Sequence, residues 1–166
     1  VLLPGMAELH GDGFERHLAP RRGALRRTED GLIALDAELA AAGITTAVLA
    51  QFWSWEGGLR GPDFARNLAT ALAAVRPHLR TQMQIQLRLE THKIDDFAEV
   101  LAFVRESGIG YVVFNDHLPH ARLAQGRRPP RLTGQALKSG RNPEAHLAML
   151  QALHGRAGEV PEALAM

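Results

Sequence analysis

His10 and Asp12, two residues apart near the start of the chain, put an imidazole and a carboxylate on one face of an extended backbone, where both can grip one metal ion. Polar or aromatic groups also follow three later strand-like runs: Gln51 with Trp53, Glu90 with His92, and Asp116 with His117. With no cysteine in the chain, metal ligands must come from His, Asp and Glu, a set that suits Zn, Mn, Fe or Ni and can also hold Mg. A divalent ion of this kind polarises a phosphoryl oxygen and lowers the pKa of a bound water, so hydrolysis is the natural reaction. His10, Asp12 and Glu90 are the expected ligands, Glu90 as a bridge between two ions. Asp116 and His117 are expected to be catalytic, taking a proton or supporting a ligand.

From Leu118 to Arg141 there is no acidic residue, yet the stretch holds Arg122, Arg127, Arg128, Arg131, Lys138 and Arg141. Guanidinium groups bind phosphate oxygens bidentately, so this segment reads either as a lid over a polyphosphate or as a solvated loop. Arg127 and Arg128 are expected to bind substrate, with Arg16 and Arg21 beside the first strand end and Arg88 at the third. The implied partner is a phosphorylated small molecule. A net charge of +1 gives no global attraction to nucleic acid or membrane, and the basic stretch lacks the interleaved aromatics of a single-strand groove. No phosphate-cradling glycine loop and no Gly-x-Ser-x-Gly elbow is present. The remaining histidines, His17, His78, His120, His146 and His154, read as surface or helix-face residues.

The elements that must position these groups alternate regularly. Val1 to Leu9 reads as a first buried strand, and Asp12 to Arg27 as a polar loop. A helix opens at Thr28 with Glu29 and Asp30 in its first turn and closes at Gly43. Ile44 to Ala50 is apolar and β-branched, as in a strand buried on both faces. Pro62 opens a helix that Pro77 stops, Met83 to Glu90 is a third strand, Asp95 to Glu106 a third helix, and Gly110 to Phe114 a fourth strand. Asn142 and Pro143 start a last helix, Glu144 to Leu153.

Strand and helix repeated four times argue for a parallel sheet, either half of a (β/α)8 barrel or a small doubly wound sheet, in one α/β domain over residues 1–166. In a barrel the polar strand ends converge on one mouth. A half-barrel would leave two edges open to self-association. No apolar run approaches the roughly 20 residues of a membrane helix. The absence of cysteine suits the cytoplasm, and a strand under way at Val1 without an initiator Met suggests a piece of a longer parent.

Three stretches together resemble the metal-dependent amidohydrolase superfamily: Leu3-Pro4-Gly5; Glu8-Leu9-His10-x-Asp12-x-x-Glu15-x-His17-Leu18-x-Pro20-Arg21; and Ala41-Ala42-Gly43-Ile44-Thr45-Thr46. Arg88-Leu89-Glu90 and Asn115-Asp116-His117-Leu118-Pro119 carry the resemblance further, toward the phosphonate-metabolism branch that acts on α-D-ribose 1-methylphosphonate 5-triphosphate. The resemblance implies the (βα)4 portion of a TIM-like amidohydrolase barrel and a divalent metal centre. It also implies hydrolysis of a 5-triphosphate to a 5-phosphate with release of pyrophosphate. His10 and Asp12 match the first-strand metal pair and Glu90 the strand-end carboxylate. Hydrolysis of a C-N bond and a non-catalytic half-barrel are the alternatives.

Overall fold

The computed structural model describes residues 3–19 and 27–165. Arg21, and the start of the first expected strand at Val1 and Leu2, lie outside the described residues. The chain is an α/β fold of four parallel strands in a curled half-barrel sheet: β1 (Met6–Gly11), β2 (Ile44–Trp53), β3 (Gln82–Glu90) and β4 (Tyr111–Asn115). Their spatial order is the order of sequence, β1-β2-β3-β4. Doubly wound sheets reverse their strand order at a switch point, whereas sequential parallel neighbours are how a barrel is built, so the fold is a (βα)4 partial barrel.

Helices α2 (Thr28–Ala41), α3 (Pro62–Val75) and α4 (Phe97–Ser107) are the connections between strands, after a short α1 (Glu15–Leu18). Pro62 sits in the first turn of α3, where its missing N–H costs nothing. Gly108 ends α4 at φ 64°, a left-handed backbone that glycine adopts without a Cβ penalty. One face of the sheet presents Ala47, Leu49 and Trp53 of β2 with Met83, Ile85, Leu87 and Leu89 of β3, and these pack with Leu32, Leu68, Leu72, Val100 and Phe103 into the main core. By the two-residue period of a strand, the opposite face of β3 carries Gln84, Gln86, Arg88 and Glu90. Asp36, buried on α2, ties that helix to the entry of β3 by accepting the backbone N–H groups of Arg80 (3.0 Å) and Thr81 (2.8 Å).

Three expectations change. β1 is not buried: Met6 to His10 are exposed, because β1 is an edge strand that pairs with β2 alone and in a broken register. The segment from Asp12 is not wholly loop, since α1 forms there and Phe14 and Leu18 drop into the main core. The basic stretch after β4 folds into two further helices, α5 (His120–Ala124) and α6 (Leu132–Lys138), ahead of α7 (Pro143–Gly155) and a terminal α8 (Val160–Ala165). Leu118, Leu123, Leu132 and Leu150 from this region close around Trp55 in a second core. That apolar burial, rather than the basic residues between, sets the path of the stretch.

The two ends of helix α7 are anchored to the segments that follow β2 and β3. Asn142 caps its start by accepting the Glu144 N–H at 2.8 Å. Next to that cap, Arg141 donates to the Trp55 carbonyl at 2.7 Å. At the far end Arg156 donates to both oxygens of Asp95, at 2.6 and 3.1 Å, on the connection that leaves β3. The Gly57-Gly58 turn lets α6 approach, since a Cβ on Gly58 would stand 2.9 Å from the Lys138 carbonyl oxygen. No helix among the described residues is long and apolar enough to cross a membrane.

Candidate metal centre

Parallel pairing of Glu90 with Asn115 sets the ends of β3 and β4 side by side. Residues that follow the two ends by one or two positions therefore emerge within reach of each other, and His92 and Asp116 do so: His92 Nδ1 is 3.6 Å from Asp116 Oδ1. The chain then turns at Leu118 and Pro119 into α5, whose first residue, His120, brings Nε2 to 3.0 and 2.9 Å from the two oxygens of Asp116. Among the described residues His92, Asp116 and His120 form a group whose potential ligand atoms all lie within 4.8 Å of one another.

Tetrahedral bonds of the usual zinc length separate neighbouring ligand atoms by about 3.3 Å. The observed 2.9 and 3.6 Å fall on either side of that value. Two imidazoles and one carboxylate are the ligand set of many catalytic zinc and iron sites, which keep a further position for water or substrate. Burial pushes the His92 imidazole below its ordinary pKa, more than Asp116 pulls it up, and His120 and His154 push the same way as burial. His92 is thus held neutral, the form that ligates.

Beside this group Glu90 is fully buried and receives three donors: Nδ1 of His117 in a short hydrogen bond, the His117 backbone N–H at 3.2 Å, and the Trp55 indole N–H at 3.3 Å. Burial raises the Glu90 pKa, and the hydrogen bonds from His117 oppose that rise without cancelling it. A carboxylate held by one imidazole nitrogen orients the other nitrogen, as in the carboxylate-imidazole pairs that activate nucleophiles. The His117 ring leans on Phe52, with centroids 5.9 Å apart.

The expected ligands are not gathered as anticipated. Gly11, the last residue of β1, is level with Leu49, and Leu89 is level with Trp53, so β1 ends five residues short of Glu90. At about 3.3 Å per residue that is roughly 16 Å along the strands, before the two-strand offset sideways. His10 and Asp12 are exposed, and the Glu90 carboxylate is engaged by His117 and Trp55. Asp116 and His117 do stand at the strand ends, Asp116 with two imidazoles and His117 on Glu90.

Among the arginines, Arg88 lies at the same pole, its guanidinium 4.1 Å over the Phe52 ring and its Nη2 donating to Asn115 at 3.3 Å. Arg88 Nε is buried without a partner among the described residues. Arg16 is paired with Glu38 and Arg128 with Glu144, so both spend their charge within the chain. Arg127 is exposed on the turn after α5.

His120, His146 and His154 carry more of this region than their sequence positions suggest. His146 is fully buried against Trp55, and His154 bonds to His120. A four-residue step from Asp116 to His120 was the one local signal; nothing local marks His146 or His154, which α7 brings in from far along the chain. Compared with protein-family models, curated proteins and solved structures, the chain matches none.

Proposed function

We propose that this chain is the metal-binding part of a metal-dependent hydrolase acting on a phosphorylated small molecule. The observation that carries the reading is the convergence of His92, Asp116 and His120 at the carboxyl ends of parallel barrel strands, the pole where such folds place their chemistry. A divalent ion held there (Zn, Mn, Fe, Ni or Mg) supplies a Lewis acid and an acidified water. His117, whose Nδ1 is held by Glu90, would serve as the general base of the reaction, taking up a proton at Nε2. Arg88, without a carboxylate partner among the described residues and stacked on Phe52, would bind a phosphate oxygen.

The finer reading rests on the sequence resemblance: hydrolysis of α-D-ribose 1-methylphosphonate 5-triphosphate with release of pyrophosphate; the absence of cysteine suits a cytoplasmic setting for it. Pyrophosphate release from that substrate tests it, measured with the full chain and each of the five metals, beside His92→Ala and His117→Gln. The wild type should release pyrophosphate and both variants should lose most of it. No release with any metal, or an unaffected His92→Ala, refutes the reading. Hydrolysis of a cyclic amide in place of the triphosphate would instead favour the amidohydrolase alternative.

A further inference from the structure

The hydrogen-bond chain that starts at Asp116 continues past His120. While Nε2 of His120 faces the carboxylate, Nδ1 of the same ring lies 2.8 Å from Nδ1 of His154, and the two rings are 5.0 Å apart at 57°. An imidazole that binds an ion through Nε2 carries its proton on Nδ1, and that N–H needs an acceptor to fix the ring. His154 Nδ1 stands where the acceptor must be. It belongs to no ligand group with His92 and Asp116, so it acts through His120.

We propose that His154 is the positioning residue of this centre, its neutral Nδ1 accepting the Nδ1–H of His120 and holding Nε2 toward the bound ion. This rests on the metal reading above. The end of α7 is built to hold His154 there: Arg156, two residues on, is locked to Asp95 and to Glu159, whose oxygens it meets at 2.8 to 3.1 Å. Asp95 lies three residues after His92, so the clamp ties α7 to the segment that carries a ligand.

The proton inventory gives the inference a signature. Without an ion, His120 Nε2–H donates to Asp116 and His154 Nδ1–H donates to His120 Nδ1. On binding, His120 gives its Nε2 proton to solvent and receives the Nδ1 proton of His154, and His154 takes a proton from solvent at Nε2. Both rings stay neutral and both change tautomer.

Zn2+ titrated into the full chain by calorimetry tests this, with 15N spectra of the histidines read alongside. His154→Leu, which removes the acceptor, should weaken Zn2+ binding by about 10- to 100-fold, and His154→Asn, which keeps a carbonyl oxygen near the Nδ1 position, should stay within about threefold of wild type. In the wild type, Zn2+ should move His154 from the Nδ1–H to the Nε2–H tautomer, a readout that stands even where a variant fails to fold. Leu binding as tightly as wild type, Asn binding as weakly as Leu, or an unmoved His154 tautomer would each overturn the proposal. A wild type that binds no Zn2+ sinks the metal reading and this inference together, whereas tight wild-type binding with an indifferent Leu variant sinks this inference alone.

Discussion

Replacing His146 by Leu should stabilise the protein and reduce its sensitivity to acid. His146 is fully buried on α7 against Trp55, and neither ring nitrogen has a hydrogen-bond partner among the described residues. Burial lowers its pKa from 6.5, Arg141 lowers it further, and Glu56 opposes both. In the unfolded chain the imidazole takes up a proton near pH 6.5, while in the native state it resists. Stability is therefore intact above about pH 6.5 and falls below it, by at most about 1.4 kcal/mol per pH unit, until the native ring also charges. His92 is depressed by burial in the same sense and adds a second slope of the same limit. Leu fills a similar volume and leaves no polar atom to desolvate, a gain of about 1 to 2 kcal/mol at neutral pH. Urea unfolding followed by circular dichroism at pH 7.5 and pH 5.5 reads both effects. His146→Leu should be the more stable protein at pH 7.5 and should lose less stability than the wild type between the two pH values. A less stable variant, or one with the whole wild-type difference, refutes the claim that His146 is an unpartnered neutral ring.

Two other perturbations test the frame. Asp36→Ala strands the buried N–H of Thr81 and frees that of the exposed Arg80, and should cost about 2 kcal/mol, read as a lower urea midpoint with an unchanged slope. The open edges β1 and β4 expose Leu9 and Phe114 beside unpaired backbone, so mass by light scattering should rise with concentration, and Leu9→Lys with Phe114→Lys should suppress the rise. A wild type that stays monomeric at high concentration would count against edge pairing.

Much of the frame was legible because each element carried its own signal. The apolar, β-branched run from Ile44 announced β2, and Pro62, Pro77, Gly108 and Asn142 marked helix ends that the structure keeps. Position within the sheet was not legible: the run toward Leu9 is as apolar as a buried strand, and only the tertiary fold makes β1 an edge. Helices α5 and α6 were hidden because each is short and buries only one or two residues, Leu123 in the first and Leu132 with Ala136 in the second, too few to show a helical period.

The candidate centre divides along the same line. Register brings His92 and Asp116 together, since one follows Glu90 by two positions and the other follows its partner Asn115 by one, on strands about 4.8 Å apart. That half follows once β3 and β4 are recognised as parallel neighbours. The other half depends on α7, whose direction is fixed by Arg141 on Trp55 at one end and Arg156 on Asp95 at the other. Those anchors set His154 against His120, a contact across 34 residues that no local pattern encodes. Register also explains why His10 and Asp12 stand apart: β1 ends level with Leu49, so a first-strand imidazole could join Glu90 only if the strand pairing shifted by several residues. Such a slip would move Glu8 and the bulge at Gly11 along β2 and would break the pairing that now aligns Met6 with Ile44. Among the described residues the side chains that could share a metal ion therefore sit at the third and fourth strand ends, and a probe of metal binding should perturb His92 or His120 before His10.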